Sequence, residues 1–142
     1  MYRKLLNAAT NPDSEITHRD WLQLDEERTR LRLAWREFFR DWDIVLCPIA
    51  ACVAFEHLHG AYRGRKLRVD GAELPYFQQL FWAGLATCSY LPATVFPTGL
   101  GTQKLPIGLQ AIGDTYADLQ TIEFARLVTA EFGGFVPPPG LD

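Results

Sequence analysis

The groups from which this 142-residue chain would have to build catalysis are two serines, three lysines, three cysteines and a histidine pair. Hydrolysis by a hydroxyl or thiol needs that group beside a base that takes its proton. Ser14 stands near the Pro12 turn and Ser89 lies within an apolar run, and neither has a base at helical or strand spacing. Lys4, Lys66 and Lys104 all fall in segments that read as exposed. Cys47 belongs to a short apolar run without a histidine partner, and buried thiols are usually inert. With Cys52 and Cys88 it makes an odd set lacking CxxC spacing, which is read as reduced, mostly buried thiols. His57 and His59 offer two metal ligands with only Glu56 nearby, so a surface histidine pair is the reading adopted and no metal is expected. No GxxxxGK[ST], GxGxxG or HExxH sequence is present, and no cofactor is expected.

The elements that would carry these groups follow from periodicity and breakers. Tyr2 to Ala9 reads as a short helix ended by Asn11 and Pro12. Thr17 with Asp20 resembles a capping box and opens a helix from about His18 to Arg40, with Leu24, Leu31, Trp35, Phe38 and Trp42 on one face. Arg28, Arg32, Arg36 and Arg40 form a row at four-residue intervals; an anion or RNA contact is the sharper reading, a solvated face the one preferred. IVLCPI, 44–49, reads as a buried strand stopping at Pro48. Residues 50–74 read as a long loop with a basic patch, Arg63, Arg65, Lys66 and Arg68, and a hairpin around Asp70 and Gly71.

Pro75 suits the first turn of a helix running to about Ser89, apolar around nearly its whole circumference and so buried on several sides or walling an apolar cavity. Ala93 to Phe96 and Ile107 to Ile112 read as two strands joined by a connection carrying Gly99 and Gly101. In the second, Ile107, Leu109 and Ala111 oppose Gly108, Gln110 and Ile112. So little polar character on either face marks an inner strand. Gly113 breaks it, Asp114 or Thr115 can cap, and Leu119, Ile122, Phe124, Leu127 and Val128 form the stripe of a last helix to about Phe132, stopped by Gly133 and Gly134.

These same residues carry a resemblance. LPATVFPTG followed by LPIGLQAIG, and then a helix with Asp118 and Ala125, is similar to the end of the amidase signature family, the Ser, cis-Ser, Lys amide hydrolases. DWDIVLCP, Asp41 to Pro48, resembles that family's strand ending in a proline beside the substrate cleft. The resemblance runs from about Trp35 to Pro139 and covers only the last third or so of a typical member. It implies an α/β fold: a C-terminal fragment of the amidase signature fold, about three strands flanked by a long N-terminal amphipathic helix, a central apolar helix and a C-terminal helix.

It also implies what is missing, since the family's lysine and its GGSSGG-like loop, which supply nucleophile, proton relay and oxyanion donors, have no counterpart in these 142 residues. The chain is therefore expected to supply cleft walls rather than catalytic groups, through Pro48, Ile49, Phe77, Phe81 and Trp82. In the glutamine-using branch a carboxylate on the helix corresponding to 75–89 is expected to hold the substrate ammonium. Gln78, Gln79 and Leu80 carry no charge, which points to a less polar amide. A non-catalytic remnant acting as a binding or assembly module, with the helix around Phe81 as contact surface, is the alternative.

Bulk composition bounds the rest. One partial amidase domain, 1–142, is expected, and 48% hydrophobic with 22% charged residues is the balance of a globular core with a polar surface. A net charge of -3 gives no general reason to expect nucleic acid. Neither a signal peptide nor an uninterrupted apolar span is apparent, so the chain is expected to be cytoplasmic and off the membrane. The partners expected are an N-terminal amidase half or a second copy of the chain, with a small-molecule amide bound only in an assembled parent.

Overall fold

The structure, a computed structural model, describes residues 17–101 and 104–137. The helix expected at Tyr2 to Ala9, with Lys4 and Ser14, lies outside the described residues. The first element is helix α1, His18–Phe38. Thr17 caps it, its hydroxyl accepting from the Asp20 backbone N–H at 3.2 Å and donating to the Asp20 carboxylate at 2.6 Å. This is the capping box with an aspartate, whose shorter side chain meets the Thr17 hydroxyl rather than its backbone. Trp35 and Phe39 reach the core, whereas Phe38 and Trp42 stack on each other in the open. The half-buried stripe thus follows 24, 31, 35 and 39, spacings of seven, four and four that keep one helical face.

Strand β1, Val45–Pro48, leads into the long loop. Within it β2, Lys66–Val69, and β3, Ala72–Pro75, form the expected hairpin with Val69 opposite Ala72. Asp70 and Gly71 both take positive φ, 49° and 82°, the condition of a tight turn that matches the strand twist. Pro75 ends β3 rather than starting a helix; a single 3₁₀ turn, Tyr76–Gln79, intervenes before helix α2, Leu80–Ser89. Only Ala86 and Ser89 of α2 are buried, so its all-round apolar surface is covered on one side and open on the other.

Strand β4, Ala93–Leu100, runs four residues past the expected end at Phe96, through an irregularity between Pro97 and Gly99. Strand β5, Pro106–Ile112, is the centre of a sheet ordered β1-β5-β4, antiparallel throughout. The inner-strand expectation holds for its second half, Gln110 to Ile112, while Ile107 is exposed where β1 no longer flanks it. Helix α3, Asp118–Phe132, closes the fold and stops at Gly133 with φ of 95°. Neither expected cap is used: the Asp114 carboxylate accepts from the Thr115 N–H at 2.7 Å, and Ala117 caps without a side-chain bond. The expected stripe is also corrected. Thr121 and Ala125 are buried with Phe124 and Val128 beside them, and Leu119, Ile122 and Leu127 are exposed, because residues 121, 125 and 128 share one face at 3.6 per turn.

Residues paired across antiparallel strands point to the same side, so the register divides the core in two. Val45, Cys47, Gln110 and Ile112 face α2, with Ala86, Leu91, Trp82, Leu85 and Trp35 around Cys47 and Ile112. Thr94, Phe96, Leu109 and Ala111 face α3, packing on Ala125, Phe124 and Val128. The two helical layers are offset. On the α2 side Val95, opposite Gln110, is left 57% exposed, and on the α3 side Leu46, opposite Ala111, is 49% exposed. Among the described residues both outer strands also keep an unpaired edge.

Candidate substrate-cleft wall

Three of the five residues expected at a cleft gather at the end of β1. Pro48 is its last residue and is exposed; Ile49 follows, half-buried; Trp82 sits in the first turn of α2 with its ring against the Cys47 and Ile112 cluster. What joins them is Gln110, 4% exposed, which sequence reasoning did not single out. Its side-chain amide donates to the backbone carbonyls of Pro48 and Trp82, each at 3.0 Å. Gln79 makes a second tie: its side-chain oxygen accepts from the Ala51 N–H at 3.0 Å. This glutamine, read from the sequence only as an uncharged substitute for a carboxylate, therefore holds backbone. Phe77 lies half-buried in the 3₁₀ turn, and Phe81 meets Trp82 edge-on at 5.1 Å with its own ring exposed.

Close approach explains Gly108. A Cβ there would stand 2.8 Å from the Phe96 carbonyl oxygen and 3.1 Å from Ile49 Cδ1, so only glycine lets β4, β5 and the residue after Pro48 meet. Beyond them an open cavity of about 700 Å³ is bounded by Cys52, Val53, Phe55, Leu58, Leu67 and Leu105, with Glu56, Lys66 and Arg68. It is an apolar hollow with both signs of charge available.

The candidate nucleophiles are placed for packing. Ser89 ends α2, wholly buried, with no hydrogen-bond partner among the described residues. Burial pushes the Cys47 thiol up, opposed by a hydrogen bond with Gln110, and pushes Cys88 up against the pull of Arg28. A raised thiol is the opposite of an activated one. All three cysteines are unpaired. Lys66 pairs with Glu73 across the hairpin at 3.0 Å, and Lys104 is exposed. His57 and His59 border a crevice with Arg65 and Tyr76, and among the described residues no three metal-ligating side chains converge.

Three arginines of the row have local partners. Arg28 pairs with Asp25 and lies over the Tyr90 ring at 4.6 Å, Arg32 lies over the same ring at 5.2 Å, and Arg40 pairs with Glu37. Arg32 and Arg36 border an open crevice of about 430 Å³ with Asp114, Thr115 and Tyr116. In the loop, Arg65 donates twice to the Gly60 carbonyl. Among the described residues no helix is long and apolar enough to cross a membrane.

Comparison with known proteins fits this architecture. The family model described as Amidase matches residues 2–122. The glutamyl-tRNA(Gln) amidotransferase A-subunit of Alkaliphilus metalliredigens is 30% identical over 112 residues, covering 79% of this chain and 21% of the relative. Its namesake from Anaeromyxobacter sp. is 30% identical over 122 residues, 84% of this chain and 23% of the relative. The chain thus spans about a fifth of the length of the curated relatives it matches. Among solved structures, the glutamyl-tRNA(Gln) amidotransferase A-subunit of Thermotoga maritima superposes with a TM-score of 0.63 at 23% identity, over 81% of this chain and 24% of that one. A chain described in connection with a vestigial protein complex and the evolutionary origins of an s-triazine catabolic enzyme superposes at 0.73 with 17% identity, over 96% of this chain and 28% of the other. Strands bearing LPATVFPTG and LPIGLQAIG side by side, the DWDIVLCP strand against the second of them and a family model spanning most of the sequence lead to one conclusion: this chain belongs to the amidase family.

Proposed function

We propose that this chain is the C-terminal portion of an amide hydrolase, a single partial domain that forms walls of the substrate cleft while the Ser, cis-Ser, Lys machinery is supplied elsewhere. The observation that carries the reading is the junction of Pro48 and Trp82 through Gln110, where the family-like segments DWDIVLCP and LPIGLQAIG meet α2 around the strand end expected to border the cleft. Pro48, Ile49, Phe77, Phe81 and Trp82 are the wall residues. Their apolar character, and the engagement of Gln79 with Ala51, favour an amide without an ammonium group to be recognised. The setting proposed is the cytoplasm.

A second reading is favoured by one observation: Leu80 and Phe81, at the start of α2, are exposed although flanked by a packed face. On that reading the chain is a non-catalytic assembly module that uses this surface for contact. Hydrolysis of a simple aryl amide separates the two. Under the amidase reading the chain alone is inactive and turnover appears when a polypeptide carrying a lysine and a GGSSGG-like loop is added. Turnover by the chain alone, or acylation of its own side chain by a serine-directed probe, overturns the reading.

A further inference from the structure

We propose that Gln79 and Gln110 are positioning residues that together fix segment 48–51 as a rigid wall of the amide-binding cleft and so set which acyl groups it accepts; the proposal rests on the amidase reading above. The geometry is that of a two-point bracket. Gln110 ties the Pro48 carbonyl to the Trp82 carbonyl, and three residues further along the loop and three residues earlier in the turn, Gln79 ties the Ala51 amide. The segment therefore runs antiparallel to residues 79–82, pinned at each end, with Ile49 and Ala50 between the pins.

Each pin sets a donor against an acceptor at 3.0 Å. A glutamine amide nitrogen carries two N–H donors, and that of Gln110 stands 3.0 Å from carbonyls of two different elements. A helical carbonyl keeps a second lone pair, so Trp82 can accept from Gln110 without leaving the α2 ladder. The Ala51 N–H would otherwise face a loop with no strand partner, and Gln79 satisfies it. Below the bracket Gly108 lets Ile49 Cδ1 approach β5 closely, which leaves the segment little room to shift.

A buried amide on the central strand is a costly choice if packing were its only task. An apolar side chain of similar volume would fill the site, whereas burying an amide is tolerated only when its hydrogen bonds are made. What Gln110 adds is a fixed distance between the strand end and α2, and sub-ångström placement of a wall is what acyl-group selection needs.

The test has two readouts on four proteins: wild type, Gln79→Leu, Gln79→Glu and Gln110→Leu. In the chain itself, exchange of the Ala51 amide is followed alongside that of Ile112, which reports global opening. In the complex with the polypeptide that supplies the serine loop, kcat and KM are measured for 4-nitroacetanilide and for the longer 4-nitrodecananilide. The expected result is at least tenfold faster Ala51 exchange in Gln79→Leu with Ile112 unchanged, and recovery in Gln79→Glu, which keeps the acceptor. In both leucine variants the ratio of kcat/KM between the two anilides is expected to shift by about tenfold or more, with Gln79→Glu near wild type. Ala51 exchange that changes only in step with Ile112, or a loosened segment with an unchanged anilide ratio, overturns the positioning role and leaves the amidase reading standing. Failure of the wild-type complex to hydrolyse either anilide overturns the amidase reading and the cleft role with it.

Discussion

The hydroxyls of Thr94 on β4 and Thr121 on α3 stand 2.8 Å apart at the seam between helix and sheet. Thr121, almost wholly buried, donates to the Asp118 carbonyl at 2.8 Å, so the Thr94 hydroxyl must be the donor to Thr121. The relay is directional, and its two ends are not equivalent.

Thr121→Val removes the acceptor for Thr94 and is expected to destabilise the chain by about 1–2 kcal/mol, whereas Thr94→Val leaves Thr121 bonded to Asp118 and costs about 0.5 kcal/mol. Urea denaturation of both single variants and the double variant checks this. Equal effects, or strict additivity, would contradict the assigned direction.

Gly108→Ala places a methyl group against the Phe96 carbonyl oxygen, a backbone atom that can move only with its strand. A loss of about 2–3 kcal/mol is expected from this overpacking, opposite in sign to the usual gain from glycine to alanine in a strand. A variant as stable as wild type would show that β4 and β5 have room that the close approach denies.

Ser89 is the reverse case, a fully buried hydroxyl at the last turn of α2 with no partner among the described residues. Ser89→Ala is expected to be neutral or stabilising by about 1 kcal/mol, since it removes an unsatisfied polar group and places a better helix former. A clear destabilisation in thermal melts would mean that the hydroxyl has an undetected partner.

The thiols give an alkaline signature. Burial raises Cys47 and Cys88 above the ordinary value of 9.0, so on raising pH the unfolded chain gives up these protons first. Their contribution to stability is complete below 9.0 and is lost as pH rises through the higher folded-state values. The urea midpoint of wild type should therefore fall more between pH 8 and about 10.5 than that of a Cys47→Ala, Cys88→Ala variant. Parallel pH profiles would show that the thiols titrate alike in both states.

The offset of the two layers predicts association. Val95 and Leu46 lie on opposite faces beside open strand edges, and Leu119, Ile122 and Leu127 add apolar surface on α3. Light scattering on the isolated chain should report a mass above that of one copy, reduced by Val95→Lys and Ile122→Lys together. A cooperative monomer at tens of micromolar would count against it.

Local chemistry made much of the fold readable in advance. Thr17 with Asp20, Asp70 with Gly71, and the breakers around LPATVF and LPIGLQ act over a few residues, so their turns, caps and strands follow from the residues themselves. The family could be read from the same stretches. The side of α3 that faces the sheet was not readable, because Leu119 and Ile122 are as apolar as Phe124, and only docking on Thr94 and Phe96 selects Thr121 and Ala125. Nor were the two glutamine ties, which join residues 62 and 28 positions apart. An amide side chain reads alike whether it will meet water or two distant carbonyls. The sequence by itself determined the local turns, the first helix's cap and the strand-forming runs; the tertiary structure alone decided which polar groups would be enclosed, because that depends on what packing brings within about 3 Å.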